Sequence, residues 1–163
     1  MSSPSIDRTA AAWQAESDAI TLRTQAQRQF IDVTELVAER VRRSGVTHGL
    51  ASIQTLHTTT AIVVNEDEPL LHEDMERLME RLVPSDVRYG HDDFARRAAV
   101  APDERVNGAA HCRSLLLGAT QVFQVVDGAL VLGRWQRIFL VECDGPQPRT
   151  LSVLVMGVRG DHE

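Results

Sequence analysis

Histidine is the side chain whose placement in this sequence most strongly indicates chemistry. The chain has six histidines. Four of them stand out from their surroundings. His57 interrupts a β-rich run, and His72 lies beside the apolar positions of a helix. His91 precedes two aspartates, and His111 lies near the start of an apolar helix. Neutral imidazoles bind divalent metals and act as general acids and bases near neutral pH. These four residues define the first candidate site.

The spacing of these histidines does not join them into one site. No compact signature such as His-x-x-x-His links them, but imidazoles from separate elements can converge in a fold. Three neutral imidazoles with an open coordination position suit Zn²⁺ or a similar ion. The triplet at residues 91–93, His-Asp-Asp, is also typical of a solvated charged loop. We assign no functional role to His48, after the first helix, or to His162, near the end of the chain.

A long β-prone run, Leu50 to Val64, is interrupted by His57 and three threonines. Threonine is β-branched and suits a strand, so a Thr-rich strand with one hydrogen-bonded histidine is one interpretation. However, an unpaired polar group in a buried strand costs about 1–3 kcal/mol. A bound ligand or metal could satisfy Thr58 and Thr59, which makes them candidate ligand contacts.

The stretch from residue 107 to 132 predicts a helix and a hairpin in close succession. Asn107 is predicted to cap a helix over Ala109 to Leu117, with Gly118 as its left-handed stop. A strand over Thr120 to Val126 then meets the hairpin signal Asp-Gly, and the chain returns over residues 129–132. Cys112 follows His111, but adjacent helix residues diverge by about 100°, so we reject a nucleophile–base pair.

Two further strands are predicted, over Trp135 to Glu142 and Thr150 to Val158. Gln136, Glu142 and Arg149 carry polar groups into this otherwise apolar sheet. A guanidinium at position 149 could pair bidentately with a phosphate, or it could be a surface cation on a turn. A tryptophan on a strand is more often part of the core than a ligand platform, which makes Gln136 the more unusual residue.

The remaining periodic segments predict two more helices. The first has capping-box spacing at Asp32 and Glu35 and ends at Gly45. The second begins with Asp67 as its cap and buries an apolar stripe: Leu71, Met75, Leu78 and Leu82. Asn65 precedes this helix as a candidate site residue. The polar connection at residues 84–106 is long enough to indicate function or disorder. The pattern predicts an α+β fold, a mostly antiparallel sheet shaped as a sandwich or barrel with three packed helices.

Composition limits the classes of function. A chain of 163 residues fits one domain, which we place at residues 13–163 after a loose extension at residues 1–12. The net charge of −6 and the 4% aromatic content disfavour nucleic-acid binding. No apolar run predicts a membrane helix or a signal peptide. With only two cysteines, we expect a reduced, cytoplasmic setting.

Several separated motifs resemble those of one family, in the same order. They are Gln54 to Ala61, Asn65 to Pro69, His72 to Glu76, Asn107 to His111, Gly133 to Gln136 and Glu142 to Pro146. Together they resemble the YjbQ-like family over roughly residues 13–157, and members of that family are often labelled secondary thiamine-phosphate synthases. The chain departs from the family pattern at Thr120, where serine is usual. It departs again at Arg134, where threonine is usual and a large cation now stands beside the Trp-Gln pair.

The resemblance implies a histidine cluster in a pocket, often occupied by a metal, and a homotrimer. Within the cluster we favour His57, His91 and His111 as ligands of a divalent metal, Zn or Mg. His72 would then be an outer residue or a general acid/base. A ligand histidine usually needs a carboxylate to fix its tautomer, for which Asp92 or Asp74 could serve.

The resemblance also implies an enzyme with weak or secondary thiamine-phosphate synthase-like activity on a small phosphorylated metabolite. The residues expected to act on the substrate are His72, Thr58, Thr59, Gln136 and Arg149. Those expected to bind the cofactor are Asn65, Asn107 and Glu142. The alternatives are a metal-dependent hydrolase and a non-catalytic trimeric protein that binds a metal or metabolite. Loss of activity in His111→Ala would favour either enzyme over the binding protein.

Overall fold

The structure is a computed structural model that describes residues 13–160. The predicted extension at residues 1–12 and His162 lie outside the described residues. Within that range the fold is α+β, as predicted from sequence. Its elements, in chain order, are β1 Trp13–Arg23, β2 Gln29–Asp32, α1 Thr34–Ser44, β3 Val46–Thr55, β4 Thr60–Asn65, α2 Pro69–Leu82, a 3-10 turn Gly90–Asp92, α3 Gly108–Leu117, β5 Thr120–Val126, β6 Ala129–Leu130, β7 Arg137–Glu142 and β8 Pro148–Arg159.

The strands form two antiparallel sheets. One has five strands in the order β1-β8-β3-β5-β6, and the other has three in the order β2-β7-β4. Because β3 and β4 belong to different sheets, the chain crosses between the sheets at residues 56–59. It crosses back between β7 and β8, at residues 143–147. These two crossings lie together and hold the candidate site.

The main core lies between the two sheets and against α1. Ile53 and Val153 from the larger sheet, Ile62 and Leu140 from the smaller sheet, and Val37 from α1 are all essentially inaccessible to solvent. Each such side chain contributes about 1.5–3 kcal/mol through burial. A smaller cluster on the other face of the three-stranded sheet packs against α3. The arrangement is therefore a sandwich, one of the two predicted shapes, with α2 and α3 outside the smaller sheet.

Helix α1 begins and ends close to the predicted residues. Its N-cap, Val33, makes no side-chain cap bond, and the N–H of Thr34 donates to Asp32 Oδ1 at 2.8 Å. The capping box with Glu35 is therefore not formed, although Asp32 still satisfies one free N–H group. Gly45 ends the helix, as predicted, and adopts the left-handed conformation with φ 68° and ψ 7°.

Helix α2 differs from its prediction in both its cap and its buried face. Glu68, rather than Asp67, caps the helix, accepting from the N–H groups of Leu70 and Leu71 at 2.9 and 2.7 Å. The predicted apolar stripe is also wrong, because Leu78 and Leu82 are 51% and 60% exposed. The helix instead turns the face of His72 toward the smaller sheet. No helix in residues 13–160 has the length and apolar composition required to cross a membrane.

The structure confirms the predicted helix and hairpin after residue 107, but the ends of these elements differ from the prediction. Gly118 has a positive φ of 90°, but its ψ of 156° lies outside the left-handed helical region. The Asp127-Gly128 turn has positive φ at both residues, as a tight hairpin turn requires. Strand β7 begins at Arg137, later than predicted, and Trp135 lies outside the sheet with 59% of its surface exposed.

Candidate functional site

A cleft of about 590 Å³ opens between the end of β3, the crossing at residues 56–59 and helix α3. Two of the four singled-out histidines, His57 and His111, line this cleft. Thr58 contributes to the same wall, and Ser114 and Leu115 continue it along α3. No aspartate, glutamate, lysine or arginine is among the lining residues that the structure describes. The imidazoles are therefore the titratable groups of this cleft.

The crossing that carries His57 is tied to its neighbours on several sides. The N–H of Leu56 donates to the carbonyl oxygen of Thr150 at 3.1 Å, and the N–H of Cys143 donates to that of Thr59 at 3.1 Å. Ser114 Oγ donates to the carbonyl oxygen of Thr60 at 2.8 Å. The crossing is thus bonded to β8, to the residue after β7, and to α3. These contacts fix the backbone that presents His57.

The imidazole of His57 has a defined orientation. Its Nε2 atom accepts a hydrogen bond from the backbone N–H of Thr150 at 2.8 Å. Since a backbone N–H can only donate, Nε2 carries no proton, and the neutral ring holds its proton on Nδ1. Burial, followed by the positive charge of Arg149, lowers the pKa of His57. The ring is therefore held neutral with an Nδ1–H donor.

His91 and His111 contact each other at the edge of the cleft. Their ring centroids are 4.6 Å apart with an interplanar angle of 62°. Burial, followed by repulsion from His91, lowers the pKa of His111. Glu104 Oε1 lies 3.5 Å from His91 Nε2 and also accepts from Arg97. The long connection thus brings His91 to α3 and adds Glu104, for which the sequence offered no periodic or motif signal.

The predicted three-histidine metal site does not form within the described chain. In residues 13–160, no three side chains of the histidine, cysteine, aspartate or glutamate type are placed to hold one metal ion. His57 Nε2 is already occupied by Thr150, and His91 Nε2 faces Glu104. The donor set of residues 13–160 therefore does not fit a three-ligand zinc site, although His91 and His111 contact each other.

Asp92 has a structural task at the start of α3. Its Oδ1 atom accepts from the backbone N–H groups of Asn107 and Gly108 at 3.0 and 2.8 Å. The predicted side-chain cap from Asn107 is therefore wrong, because a residue distant in sequence fills that role. Asn107 Nδ2 instead donates to Asp144 Oδ2 at 3.1 Å. Asp74, the other candidate tautomer-fixing carboxylate, pairs with Arg77 on the exposed side of α2.

Arg149 and Glu142 form a buried ion pair behind His57. Arg149 Nε and Nη2 donate to the two oxygens of Glu142 at 2.6 Å each, and Nη2 also donates to Thr59 Oγ1 at 3.2 Å. Arg149 is 3% exposed and Glu142 1%. Burial raises the pKa of Glu142, but hydrogen bonds from Arg149 and from two backbone N–H groups outweigh it and hold the pKa below its ordinary value. Arg149 is thus neither a surface cation nor a cation facing the cleft.

His72 lies in a separate aromatic cluster. Its ring stacks on Phe30 at a centroid distance of 5.0 Å and meets Phe139 edge-on at 5.3 Å. Its Nε2 atom is buried and lies 3.5 Å from Asp67 Oδ1. His72 does not line the cleft of His57 and His111. In this chain it therefore packs α2 onto the smaller sheet.

Asn65 and Gln136 lie at the opposite end of β7 from Glu142. Asn65 pairs with Arg137 across β4 and β7, about 17 Å along the strand from Glu142. Gln136 Oε1 accepts from the N–H of Gly133 at 2.7 Å, and Asn65 Nδ2 contacts the sulfur of Met75. One chain therefore does not bring these two predicted site residues to the histidine cleft.

Cys143 does not have the surroundings of a nucleophile. Cys143 is 4% exposed, and burial, followed by the negative charge of Glu142, raises its pKa to about 12. Cys112 lies beside His111 on α3, but the ring of His111 contacts His91. Thiolate chemistry requires a lowered pKa and access to solvent. The imidazoles remain the reactive groups of the cleft.

Sequence reasoning missed two groups that shape the site. Ser114 lies three residues after His111, so helical spacing already places the two side chains on one face. The N–H of Thr150, which fixes His57, belongs to the backbone, and no side-chain pattern could identify it. Its role follows only from the approach of β8 to the crossing.

Comparison with known proteins identifies the family. The family model described as UPF0047 protein YjbQ-like matches residues 18–158. A UPF0047 protein of Methanothermobacter thermautotrophicus is 38% identical over 138 residues, covering 85% of this chain and 90% of that protein. A UPF0047 protein of Archaeoglobus fulgidus is 40% identical over 134 residues, covering 82% of this chain and 96% of that protein.

Comparison with solved structures indicates the same family. A YbjQ-like protein of unknown function from Sulfolobus solfataricus P2 superposes with a TM-score of 0.81 at 34% identity, covering 90% of this chain and 99% of that chain. A hypothetical protein from Aeropyrum pernix K1 gives a TM-score of 0.77 at 36% identity, covering 87% of this chain and 98% of that chain. The chain therefore belongs to the YjbQ-like UPF0047 family.

Proposed function

We propose that this protein is an acid–base enzyme that acts on a small phosphorylated metabolite bound in the cleft between His57 and His111. The observation that carries the proposal is the hydrogen bond from the Thr150 N–H to His57 Nε2 at 2.8 Å. It leaves a neutral imidazole whose Nδ1–H can donate to a ligand. A neutral histidine of this kind polarises an oxygen or ring nitrogen without releasing its own proton.

His111 supplies the complementary function in this proposal. Its lowered pKa keeps the ring unprotonated near neutral pH, as a general base requires. Protonation of His57 at Nε2 would displace the Thr150 bond, so the two imidazoles have different roles. His57 would donate a hydrogen bond to the negative charge that develops on the substrate, while His111 would accept a proton from a substrate group or a water molecule that loses one in the reaction. Thr58 lines the same wall and would orient the substrate.

Thiamine-phosphate synthase-like transfer is the specific reaction that we propose to assay first. Its pyrimidine and thiazole rings carry nitrogen atoms of the kind that a neutral Nδ1–H donor can bind. Expulsion of pyrophosphate would also need a positive charge. Arg149 Nε and Nη2 are both hydrogen-bonded to Glu142. The positive charge that this reaction needs would therefore come from outside the described residues.

A metal-dependent hydrolase is the second candidate. The contact between His91 and His111, with Glu104 3.5 Å from His91, favours it. The absence of a three-ligand group in residues 13–160 weakens it. A non-catalytic binding protein is the third candidate and requires the same cleft without turnover.

The test compares turnover in His57→Ala, His111→Ala and the control Glu39→Gln, whose carboxylate pairs with Arg42 on the surface of α1. The substrates are the pyrimidine-methyl pyrophosphate and the thiazole phosphate, followed by phosphate-ester hydrolase substrates. We expect losses of about 10²–10⁴-fold in both histidine variants and no change in the control. Equal activity in all variants would rule out the acid–base roles.

Elemental analysis of protein purified without a chelator distinguishes the metal-dependent hydrolase from the metal-free acid–base mechanism. About one divalent metal per chain, lost in His111→Ala, would favour the hydrolase over the metal-free mechanism. Protein that is active and metal-free would support the acid–base mechanism. Specific binding of the phosphorylated compounds without turnover would indicate the non-catalytic protein.

A further inference from the structure

A second cavity lies at the opposite end of β5 from the histidine cleft. Ala119, just before β5, lines the cleft, and Asp127, just after β5, lines the second cavity. Extended chain over residues 119–127 spans about 27 Å. The second cavity has a volume of about 600 Å³ and lies between helix α1, the Asp127-Gly128 turn and residues 130–137. It is therefore a different site from the cleft of His57 and His111.

Positive charge predominates among the residues that line this cavity. Three arginines line it, namely Arg42, Arg134 and Arg137, and we call it the arginine cavity. The acidic residues that line it, Glu35 and Asp127, are both exposed to solvent. An excess of positive charge is unusual in a chain with a net charge of −6. The arginine cavity is therefore suited to an anionic ligand.

Arg134 contacts an aromatic ring. Its Cζ atom lies 4.5 Å from the ring centroid of Trp135, and no carboxylate in residues 13–160 forms an ion pair with it. A cation–π contact uses the flat face of the guanidinium group, whereas the N–H donors lie in its plane and remain available. Because the contact already restricts the side chain, less conformational entropy is lost when these donors bind an anion.

The turn that carries Arg134 and Trp135 is held at both ends. The N–H of Gln136 donates to the carbonyl oxygen of Gly133 at 3.0 Å, and the N–H of Gly133 donates to Gln136 Oε1 at 2.7 Å. Just before this turn, the N–H of Val131 donates to the carbonyl oxygen of Gln124 on β5 at 3.0 Å. Gln136 therefore positions the turn at the edge of the arginine cavity.

Arg42 and Arg137 keep donors that their ion pairs do not use. Arg137 Nε donates to Asp32 Oδ2 at 2.8 Å, and Arg137 Nη1 lies 4.0 Å from Glu35 Oε1. Arg42 donates to Glu39 through Nε and Nη2 at 3.1 and 2.8 Å. Within residues 13–160 these contacts leave Nη2 of Arg137 and Nη1 of Arg42 for a ligand. Neither guanidinium is buried, so a ligand can reach both.

The size and the apolar parts of the site indicate an organic ligand with a flat ring. Cavities of about 300–1,000 Å³ hold small organic molecules, and an inorganic ion would leave most of this volume unfilled. Leu130 and Leu132 line the cavity and pack against the main core, which gives it an apolar floor. Trp135 is 59% exposed beside Arg134 and offers a surface on which a ring can stack.

We propose that the arginine cavity binds a nucleotide, with its phosphates on Arg42, Arg134 and Arg137 and its base against Trp135 and the apolar floor. The planar fork of arginine matches two phosphate oxygens, so three guanidinium groups suit a mono- or diphosphate. The ribose hydroxyls are donors, for which the carboxylate of Glu35 is an acceptor. This site needs no chemistry from the histidine cleft and is independent of the proposed function.

The first test measures binding of ADP, adenosine and inorganic phosphate to the wild type by isothermal titration calorimetry. We expect ADP to bind at least about tenfold more tightly than either of the other two compounds, because each of them supplies only half of the contacts. Equal binding of adenosine would overturn the role of the arginines, and equal binding of phosphate would overturn the role of the ring. Absence of ADP binding at millimolar concentration would overturn the proposal as a whole.

Matched arginine variants test the phosphate contacts. Arg134→Gln removes the guanidinium from the cavity, and its control is Arg81→Gln, at an exposed position in the last turn of α2. Loss of charge-assisted hydrogen bonds should weaken ADP binding by about 10–100-fold in Arg134→Gln and leave Arg81→Gln at the wild-type affinity. The same affinity in the two variants would rule out binding at Arg134.

A charge placed on the opposite wall gives an independent test. Ala38 of α1 lines the cavity, whereas Leu36 lies about 200° away around the helix and is 40% exposed. Ala38→Glu should abolish ADP binding by repelling the phosphates, and Leu36→Glu, which adds the same charge outside the cavity, should not. Circular dichroism shows whether each variant is folded. Folded Ala38→Glu protein that binds ADP like the wild type would contradict the proposal.

Tryptophan fluorescence and a cleft variant locate the bound nucleotide. The chain has two tryptophans, so Trp13→Phe leaves Trp135 as the fluorescent reporter, and ADP should quench it. Calorimetric binding without a change in this fluorescence would place ADP elsewhere and overturn the assigned site, as would loss of ADP binding in His57→Ala. Turnover assays test the acid–base function separately, so its failure and that of the nucleotide site are distinguishable.

Discussion

The backbone N–H of Thr150 and the Nε2 atom of His57 lie 2.8 Å apart and join the start of β8 to the crossing between the sheets. Because β8 lies between β1 and β3 in the five-stranded sheet, this bond holds the imidazole against a strand that is paired on both sides. The contact also selects the tautomer. This hydrogen bond therefore determines which ring nitrogen of His57 carries the proton in the neutral form.

The first prediction concerns the tautomer and pKa of His57. Long-range ¹⁵N–¹H NMR spectra should show the Nδ1–H tautomer at neutral pH. The titration midpoint should lie below 6.5, the ordinary value, because burial and Arg149 both disfavour the charged ring. A His57 ring protonated on Nε2 at neutral pH, or titrating above 6.5, would contradict the assigned hydrogen bond.

The second prediction concerns stability against pH. His57 and His111 both have lowered pKa values, so between those values and 6.5 the unfolded chain binds more protons than the folded chain. Stability is therefore highest above pH 6.5 and decreases as the pH falls through the folded pKa values. Urea unfolding at pH 7.5 and 5.5 should show this decrease in the wild type and a smaller one in the double variant His57→Gln/His111→Gln.

The acidic residues do not obscure this comparison. The pKa values of Glu142 and Glu104 are lowered from 4.5, and that of Glu80 is lowered to about 2. Their contributions are present above 4.5 and are lost only as the pH falls below it. An equal loss of stability between pH 7.5 and 5.5 in the double variant would show that other groups titrate in that window.

The third prediction concerns the buried pair of Glu142 and Arg149. Glu142→Gln leaves the guanidinium of Arg149 buried without its counter-charge, which typically costs about 3–5 kcal/mol of unfolding free energy. Its control is Glu39→Gln, which removes an exposed partner of Arg42 and should cost less than about 1 kcal/mol. Equal effects of the two substitutions on urea unfolding would show that burial of the first pair has no energetic consequence.

The fourth prediction compares two glycines near α3. A Cβ at Gly108 would lie 2.5 Å from Cβ of Tyr89, whereas a Cβ at Gly90 would meet nothing within 4 Å. Gly108→Ala should therefore lower the unfolding free energy by about 1–3 kcal/mol, because the connection cannot stay packed on the helix. Gly90→Ala should change it by less than about 0.5 kcal/mol. A stable Gly108→Ala protein would imply that Tyr89 moves away readily.

The elements of this fold were predictable where the local pattern was strong. The Asp127-Gly128 turn, the end of α1 at Gly45 and the break of the β-run at His57 all appear as predicted. The buried face of α2 was not predictable, because His72 packs between Phe30 and Phe139, residues distant in the chain. Helical periodicity alone favoured the leucines, which the single chain leaves exposed.

The site was predictable only in part, for the same reason. Residue type and position singled out His57, His91 and His111, and the structure brings His91 to His111 and places His57 in the same cleft as His111. The roles of Arg149 and Asp92 depend on partners far along the chain. An arginine suited to phosphate looks the same in sequence as one committed to a buried carboxylate.

The crossing at residues 56–59 is hydrogen-bonded to β8, to Cys143 and, through Thr60, to α3. A loop anchored on three sides resists local opening, so the amide protons of Leu56 and Cys143, which form two of these anchors, should exchange slowly. Activity and structure would then be lost together in denaturant. Laboratory evolution of this site would accordingly be limited by global stability, and stabilised variants of the domain are the better starting point for changing its specificity.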